Sequence, residues 1–154
     1  MSTEFEAVAV QAKVFFEDVE VGQELPVLKN PPVTHGQLVR YSGASGDFNP
    51  IHTDTEAAVK FGLGGTIAHG MLIMGFLGHL ISDYLGGPAP LKKFGVRFMS
   101  MTRPGEAIIC SGTITNKYRQ DGQNFIEATI TAKNEVGDIK AAGSFTAVLP
   151  SRQV

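Results

Sequence analysis

Residues 41–71 read YSGASGDFNPIHTDTEAAVKFGLGGTIAHGM, and the rest of the chain is organised around them. Asp47 and His52 lie five positions apart on a turn rich in Gly, Asn and Pro, where side chains can converge because no regular period sets their directions. Gly70 then opens the most apolar helix of the chain, and a helix start presents unpaired N–H groups at the positive end of its dipole. A carboxylate, an imidazole and such a helix start together indicate acid–base chemistry on an activated carbonyl compound. The sequence therefore predicts an enzyme.

The helix that follows, predicted over residues 69–85, is the expected spine of the fold. Its apolar residues recur at helical spacing and form one continuous face, made of Met71, Met74, Gly78, Ile81 and Leu85. Other apolar residues fill most of the remaining circumference, so we expect the helix to be wrapped by other elements. Gly86, Gly87 and Pro88 should end it.

Four strand-like runs follow the helix and are rich in Val, Ile, Thr and Phe. They cover residues 92–102, 106–118, 123–135 and 138–149. Compact turns separate them, so we expect a meandering antiparallel sheet. One buried helix followed by such a sheet predicts an α+β fold, in which the antiparallel sheet wraps round one long central helix.

Local signals place the remaining elements. Residues 24–29 are expected to form a short strand. Thr34 is a candidate N-cap for a helix that ends at the next glycines. Thr53 or Asp54 should cap a short helix at residues 55–61 in the same way.

Length and composition indicate a single globular domain. The chain has 154 residues, of which 43% are hydrophobic and 18% charged. We expect the domain to cover residues 15–150, after a flexible N-terminal tail at residues 1–14. The net charge of −2 gives no basic surface for a nucleic acid. The longest apolar run, residues 71–81, is too short to span a bilayer, so no membrane association is expected.

Cysteine usage and the N-terminus bear on the compartment. The single cysteine, Cys110, excludes an intrachain disulfide and is typical of a reducing compartment. Residues 1–10 lack the basic and then apolar order of a signal peptide. These features together predict a cytoplasmic protein.

Residues 41–52 resemble the hydratase signature of the MaoC-like (R)-specific enoyl-thioester hydratases and 3-hydroxyacyl-thioester dehydratases, whose fold is the hot dog. The string Gly-Asp-x-Asn-Pro-x-His is the specific part of this likeness. Residues 68–71, Ala-His-Gly-Met, match the family's start of the central helix, and the order of elements is similar over residues 15–149. The resemblance implies a single hot-dog domain. It also implies reversible addition of water to a trans-2-enoyl thioester of coenzyme A or acyl-carrier protein, which gives the (R)-3-hydroxyacyl form.

The resemblance assigns roles to single residues. The family's catalytic aspartate corresponds to Asp47, its histidine to His52, and its oxyanion donor to the backbone N–H of Gly70. Asn49, which would orient the turn, and Met74, past which the acyl tunnel would run, are the candidate substrate-binding residues. We favour Asp47 as the group that holds and activates water and His52 as its partner in proton transfer, but which of them is the base stays open. No metal or redox cofactor is expected.

Simpler interpretations exist for each of these residues. An aspartate in a turn usually caps the local backbone, and a lone buried histidine is usually structural. His69 lies at the helix start and is expected to be a packing or capping residue. Asp47, His52 and Asp54 match no compact zinc motif, so no metal site is predicted.

The sequence leaves two alternative functions open and predicts a homodimer. The chain could be a hot-dog acyl-CoA thioesterase, although thioesterases of that fold usually lack the Asn-Pro-x-His signature. It could also be a non-catalytic or partner subunit of a heterodimeric dehydratase, against which the complete Asp/His pair argues. A single hot dog leaves strand edges and apolar surface open, so we expect a homodimer with two helices side by side and the sheets joined edge to edge.

Overall fold

The computed structural model describes residues 14–86 and 91–152. The helices are α1 (His35–Ser45), α2 (Thr55–Lys60) and α3 (Gly70–Leu85), with short 3₁₀ helices at Phe16–Asp18 and Pro50–His52. The strands are β1 (Leu28–Lys29), β2 (Leu91–Phe98), β3 (Ile109–Gln120), β4 (Gln123–Lys133) and β5 (Ile139–Leu149). The tail predicted at residues 1–14 lies outside the described residues except for Val14, and so do Gly87 and Pro88.

The strands form one antiparallel sheet in the order β1-β3-β4-β5-β2. β3, β4 and β5 follow one another across the sheet as the predicted meander. A meander would also place β2 beside β3, and this part of the prediction is wrong, because β2 pairs with β5 and Phe94 lies opposite Phe145. The segment at residues 99–108 explains the difference. It is too long for a tight hairpin and carries the chain from one edge of the sheet to the other side of the meander.

α3 packs on this sheet, which it contacts through β3, β4 and β5. Its buried residues are Leu72, Ile73, Leu77, Leu80, Ile81, Tyr84 and Leu85. The prediction that other elements wrap the helix is wrong on one side among the described residues, since Met71 is 56% exposed and Met74 is only half-buried. Apolar residues occupy nearly the whole circumference, so their spacing did not determine which side meets the sheet. Residues 14–86 and 91–152 therefore leave one apolar side of α3 uncovered.

Capping confirms most of the predicted helix ends. The Thr34 hydroxyl accepts a hydrogen bond from the Gln37 N–H (3.1 Å) at the start of α1. Asp54, not Thr53, caps α2 by accepting from the Ala57 N–H (3.1 Å). α3 ends at Gly86, whose φ of 70° is a left-handed conformation that glycine adopts at little cost.

The architecture confirms the predicted α+β class, one long helix against a single antiparallel sheet. The buried side of α3 and the inward side chains of β3, β4 and β5 form one hydrophobic core. In the part of the chain that the structure describes, every helix falls short of the length and apolar character that crossing a membrane requires.

Candidate active site

The turn between α1 and α2 is shaped by its own side chains. Asp47 Oδ1 accepts a hydrogen bond from the Asn49 N–H (3.1 Å), and Asn49 Oδ1 accepts one from the Ile51 N–H (3.3 Å). Asn49 is the N-cap of the short 3₁₀ helix at Pro50–His52, so it fixes the position of His52. This contact is the orienting role expected for Asn49, whereas substrate binding by its side chain stays a prediction.

His52 is buried, with 7% of its surface exposed, and its ring is held at one nitrogen. Nδ1 lies 2.8 Å from the carbonyl oxygen of Ile67. A carbonyl only accepts, so Nδ1 carries the proton and, in the neutral ring, Nε2 is free to accept one. The structure therefore presents His52 in the tautomer that a general base requires.

Asp47 faces that free nitrogen. Its Oδ2 lies 3.7 Å from His52 Nε2, which is too long for a direct hydrogen bond but lets one water molecule contact both atoms. The Asp47 side chain is half exposed (51%), so water reaches it freely. The predicted pair thus converges on one place, where two proton acceptors can hold the same water.

His69 lies behind the pair and is almost fully buried, with 2% exposed. Its ring stacks on that of His52 (centroids 3.7 Å apart, 23° between planes) and meets Tyr41 edge-on at 4.7 Å. Its Nε2 lies 3.1 Å from Ser42 Oγ and 3.3 Å from the Asp47 carbonyl oxygen. Burial, and after it the nearby His52, lower the pKa of His69. The predicted packing role is confirmed, but its side chain makes no capping hydrogen bond to α3.

Gly70 opens α3 as predicted, next to His69. Its N–H makes no hydrogen bond within residues 14–86 and 91–152, as expected for a first-turn position. A side chain could not be added there freely, because a Cβ would lie 3.2 Å from the ring of Phe98. Gly70 therefore offers an unpaired backbone donor close to an aromatic ring.

A pocket of about 350 Å³ adjoins these groups, and its wall includes His52, Gly70, Ile73, Phe98, Met99 and Met101. Ile73 of α3 is part of this wall, whereas Met74 is not. That an acyl tunnel passes Met74 stays a prediction. A larger pocket of about 420 Å³ lies near the other end of α3, against Leu28, Leu80 and Tyr84. The first pocket is the candidate active site, because its wall includes both the His52 imidazole, whose Nε2 lies 3.7 Å from Asp47 Oδ2, and the helix start at Gly70.

The outer wall of the pocket is fixed by a buried ion pair. Lys140, 4% exposed, donates to the carbonyl of Met101 (2.9 Å) and lies 2.8 Å from Glu106 Oε1. Glu106 also accepts from the Arg103 N–H (2.6 Å) and from Asn134 Nδ2 (2.7 Å). Burial raises the pKa of Glu106, but the hydrogen bonds from Lys140, Arg103 and Asn134 outweigh it and hold that pKa below its ordinary 4.5.

The same segment is tied to the residues before α3. The guanidinium of Arg103 donates to the carbonyls of Leu63 and Gly65, and the Ala68 N–H donates to the Thr102 carbonyl (2.8 Å). The pocket is thus built from two chain segments that hold each other in place.

Three potential metal ligands gather at the site, namely one atom each of Asp47, His52 and His69, all within 4.8 Å of one another. The two imidazoles are stacked with their centroids 3.7 Å apart, so their in-plane lone pairs lie in separate, nearly parallel planes and do not converge on one point. His52 Nδ1 is also committed to the Ile67 carbonyl. This geometry does not suit the tetrahedral ligand set of zinc. That the protein uses no metal stays a prediction.

Comparison with known proteins identifies the family. Residues 17–136 match the family described as MaoC like domain, which is more than half of the chain. The chain belongs to the MaoC-like family. Curated proteins similar to this chain include ones named as hydratases and dehydratases, the class of enzyme that the resemblance of residues 41–52 implied.

One curated relative matches this MaoC-like chain over almost its whole length. The (R)-specific enoyl-CoA hydratase of Rhodospirillum rubrum is 26% identical over 139 residues, which are 90% of this chain and 93% of the relative. Several other curated relatives match over shorter stretches, which make up 46% or less of each relative.

Solved structures share the fold. The unliganded R-hydratase PhaJ1 of Pseudomonas aeruginosa has a TM-score of 0.79 at 22% identity, covering 92% of this chain and 89% of that one. A chain of the ChsH1–ChsH2 complex of Mycobacterium tuberculosis has a TM-score of 0.73 at 23% identity, covering 84% and 98%. These likenesses confirm the predicted hot-dog fold.

Sequence reasoning missed the groups that reach the site from elsewhere. The carbonyl of Ile67 sets the His52 tautomer, and Phe98 and Lys140 arrive from β2 and β5. The adjacency of His69 to Gly70 was the one available signal for a histidine near the pair. Phe98 and Lys140 reach the site because β2 pairs with β5, and no local sequence pattern predicts that long-range pairing.

Proposed function

We propose that the protein adds water reversibly to a trans-2-enoyl thioester of coenzyme A or acyl-carrier protein and gives the (R)-3-hydroxyacyl thioester. The observation that carries this proposal is the 3.7 Å approach of Asp47 Oδ2 to a His52 Nε2 that is free to accept a proton. His52 lines a pocket whose wall also includes the helix start at Gly70. Membership of a family with named hydratases and dehydratases supports the same reaction.

In the proposed step, one water donates hydrogen bonds to Asp47 and to His52. As its oxygen bonds to C3, an O–H bond breaks and His52 Nε2 takes the proton, while the Ile67 carbonyl keeps hold of Nδ1–H. The C2–C3 double bond opens toward the thioester oxygen, and the resulting enolate takes the proton from His52 at C2. Asp47 aligns the water and stabilises the imidazolium that exists between these two transfers.

The enolate oxygen needs a donor, and the unpaired N–H of Gly70 is the candidate. The start of α3 adds its positive dipole end at that point. Loss of one such donor typically raises the barrier by ~2.7–4 kcal/mol. All groups in this mechanism belong to the chain itself, so the proposed reaction needs no cofactor.

Substitution of the pair tests the proposal. Asp47→Asn and His52→Gln should each lower kcat for crotonyl-CoA hydration by about 10²–10⁴, the usual contribution of general acid–base catalysis. The loss of enoyl absorbance measures the rate, and circular dichroism checks the fold. Exposed residues away from α3 supply the controls, His35→Gln at the start of α1 and Asp121→Asn in the β3–β4 turn, and both should keep the wild-type rate. Full activity in both Asp47→Asn and His52→Gln would refute the assigned roles.

The same preparation tests the two alternatives. A thioesterase would release free thiol from acyl-CoA, which a thiol reagent detects. A partner subunit would be inactive alone and active with a second polypeptide.

We also propose that the protein is a homodimer. The edge strand β2 has no neighbour on its outer side within the described chain, and Met71 exposes 56% of its surface on the uncovered side of α3. Light scattering should give twice the chain mass at micromolar concentration. Met71→Lys should shift it toward the monomer, while Val136→Lys, in the exposed β4–β5 turn, should not. A monomeric wild-type mass would contradict the proposal.

A further inference from the structure

His69 is a buried histidine that the proposed mechanism does not use. Only 2% of its surface is exposed, and its contacts with the proposed site are of two kinds. On one side it reaches the carbonyl of Asp47 (3.3 Å) and Ser42 Oγ (3.1 Å), and on the other it stacks on His52 at 3.7 Å. The His69 ring thus contacts both members of the pair, the main chain of Asp47 and the ring of His52.

The proton on His69 can be placed from these contacts. Nε2 faces the carbonyl of Asp47, which can only accept, and the hydroxyl of Ser42, which can accept or donate, so a hydrogen on Nε2 suits both contacts. The other nitrogen, Nδ1, is buried and has no hydrogen-bond partner among the described residues. A second proton there would be a buried donor without an acceptor, which costs free energy. His69 is therefore a neutral ring with its hydrogen on Nε2.

We propose that His69 is a positioning residue, whose Nε2–H holds the main chain of Asp47 while its ring supports the face of His52. The role rests on the proposed function, because positioning matters only if Asp47 and His52 act on a substrate. The donor to Asp47 is the principal action. The turn at residues 46–49 is exposed, and its side-chain hydrogen bonds are otherwise local, so His69 is its link to the buried interior.

The stack gives His69 a second effect. A neutral aromatic ring against the face of His52 attracts a positive charge on that imidazole, which is the form His52 takes after accepting a proton. Because His69 stays neutral, it does not compete with His52 for the proton. The two histidines thus differ in role although they are in contact.

Two substitutions separate the donor from the ring. His69→Phe keeps a stacking ring without the donor, and His69→Gln keeps an N–H donor without the ring. We expect kcat on crotonyl-CoA to fall at least ~10-fold in His69→Phe and by less in His69→Gln, with KM within about twofold of wild type, since misplacement of a reacting group acts on kcat. His35→Gln, on the exposed start of α1, is the control and should match wild type. A wild-type kcat in His69→Phe, or a larger loss in His69→Gln, would overturn the proposal.

Two measurements that do not depend on catalysis distinguish the positioning role of His69 from the proposed enzymatic function. Amide hydrogen exchange at residues 46–52 should be faster in His69→Phe than in His69→Gln or wild type, with β4 unchanged. Nitrogen-15 spectra of the wild type should place the hydrogen of His69 on Nε2 and that of His52 on Nδ1. Unchanged exchange, or a His69 hydrogen on Nδ1, would overturn the positioning role. A wild type that turns over no enoyl thioester but shows these signals would overturn the proposed function alone.

Discussion

Gly70 is the residue where packing and the proposed chemistry meet most closely. Its missing side chain leaves room for the ring of Phe98, which would lie 3.2 Å from a Cβ at this position. Such a distance is tighter than ordinary van der Waals contact, so the ring must move when the glycine is replaced.

We therefore expect Gly70→Ala to lower kcat/KM for crotonyl-CoA by about tenfold, a cost of ~1.4 kcal/mol in the transition state. Alanine keeps the backbone N–H, so the loss is steric. Steady-state kinetics of Gly70→Ala and of the double variant Gly70→Ala/Phe98→Leu measure it, and the smaller leucine should restore part of the rate. Wild-type kinetics in Gly70→Ala would show that the close contact has no consequence.

At this scale the sequence predicted the three residues of the proposed mechanism, Asp47, His52 and Gly70, because all lie in one short stretch with a specific motif. Met74 was chosen by helical spacing and lies outside the wall of the pocket, whereas its neighbour Ile73 lies in it, so substrate binding by Met74 stays a prediction. A helix that is apolar on every side carries no periodic signal for such a choice.

Strand β5 depends on a glycine at a crowded crossing. A Cβ on Gly143 would lie 2.7 Å from the Cα of Val96 in the neighbouring strand β2 and would also meet the backbone of Gly95. Backbone atoms cannot rotate away as a side chain does, so β2 and β5 would have to separate.

We expect Gly143→Ala to lower the free energy of unfolding by about 3 kcal/mol, the upper range for overpacking. Urea denaturation followed by circular dichroism measures the change. Gly43→Ala is the matched control, because Gly43 lies within α1 with open space around it and alanine should stabilise the helix by roughly 0.5–1 kcal/mol. Equal stability of the Gly143→Ala and wild-type proteins would contradict the crowding seen at this crossing.

At the level of elements, the sequence predicted all three α-helices and all four long strands, with errors of a few residues at their ends. Capping residues and left-handed glycines act over a few positions, so they can be read locally, as at Thr34 and Gly86. The place of β2 could not be read in this way. It is set by pairing with β5, some fifty residues further on, through contacts such as Phe94 with Phe145.

The ion pair of Lys140 and Glu106 acts on the whole molecule, because it joins the sheet to the segment that closes the pocket. The pKa of Glu106 is held below its ordinary 4.5 in the folded protein. Its contribution to stability is therefore fully present above about pH 4.5 and is lost as the pH falls through the lower folded value.

Glu106→Gln should lower the free energy of unfolding by about 3 kcal/mol near pH 7, since it leaves a buried lysine without its counter-charge. It should also flatten the fall of stability with acidification below about pH 4.5. Urea unfolding at a series of pH values measures both effects. The double variant Glu106→Gln/Lys140→Met should lose less than the single one, because no buried charge is left unpaired. If the free energy of unfolding of Glu106→Gln falls with acidification as steeply as that of the wild type, the pH dependence belongs to other carboxylates.

The short separation of Asp47 Oδ2 and His52 Nε2, 3.7 Å, also bears on stereochemistry. In the proposed step, the water is held between these two atoms and the proton returns to C2 from the same His52 Nε2, so both reach the alkene from one side. On the proposed reaction, the hydroxyl at C3 and the new hydrogen at C2 would therefore arrive on one face. Hydration would be a syn addition, and in heavy water it would give a single diastereomer.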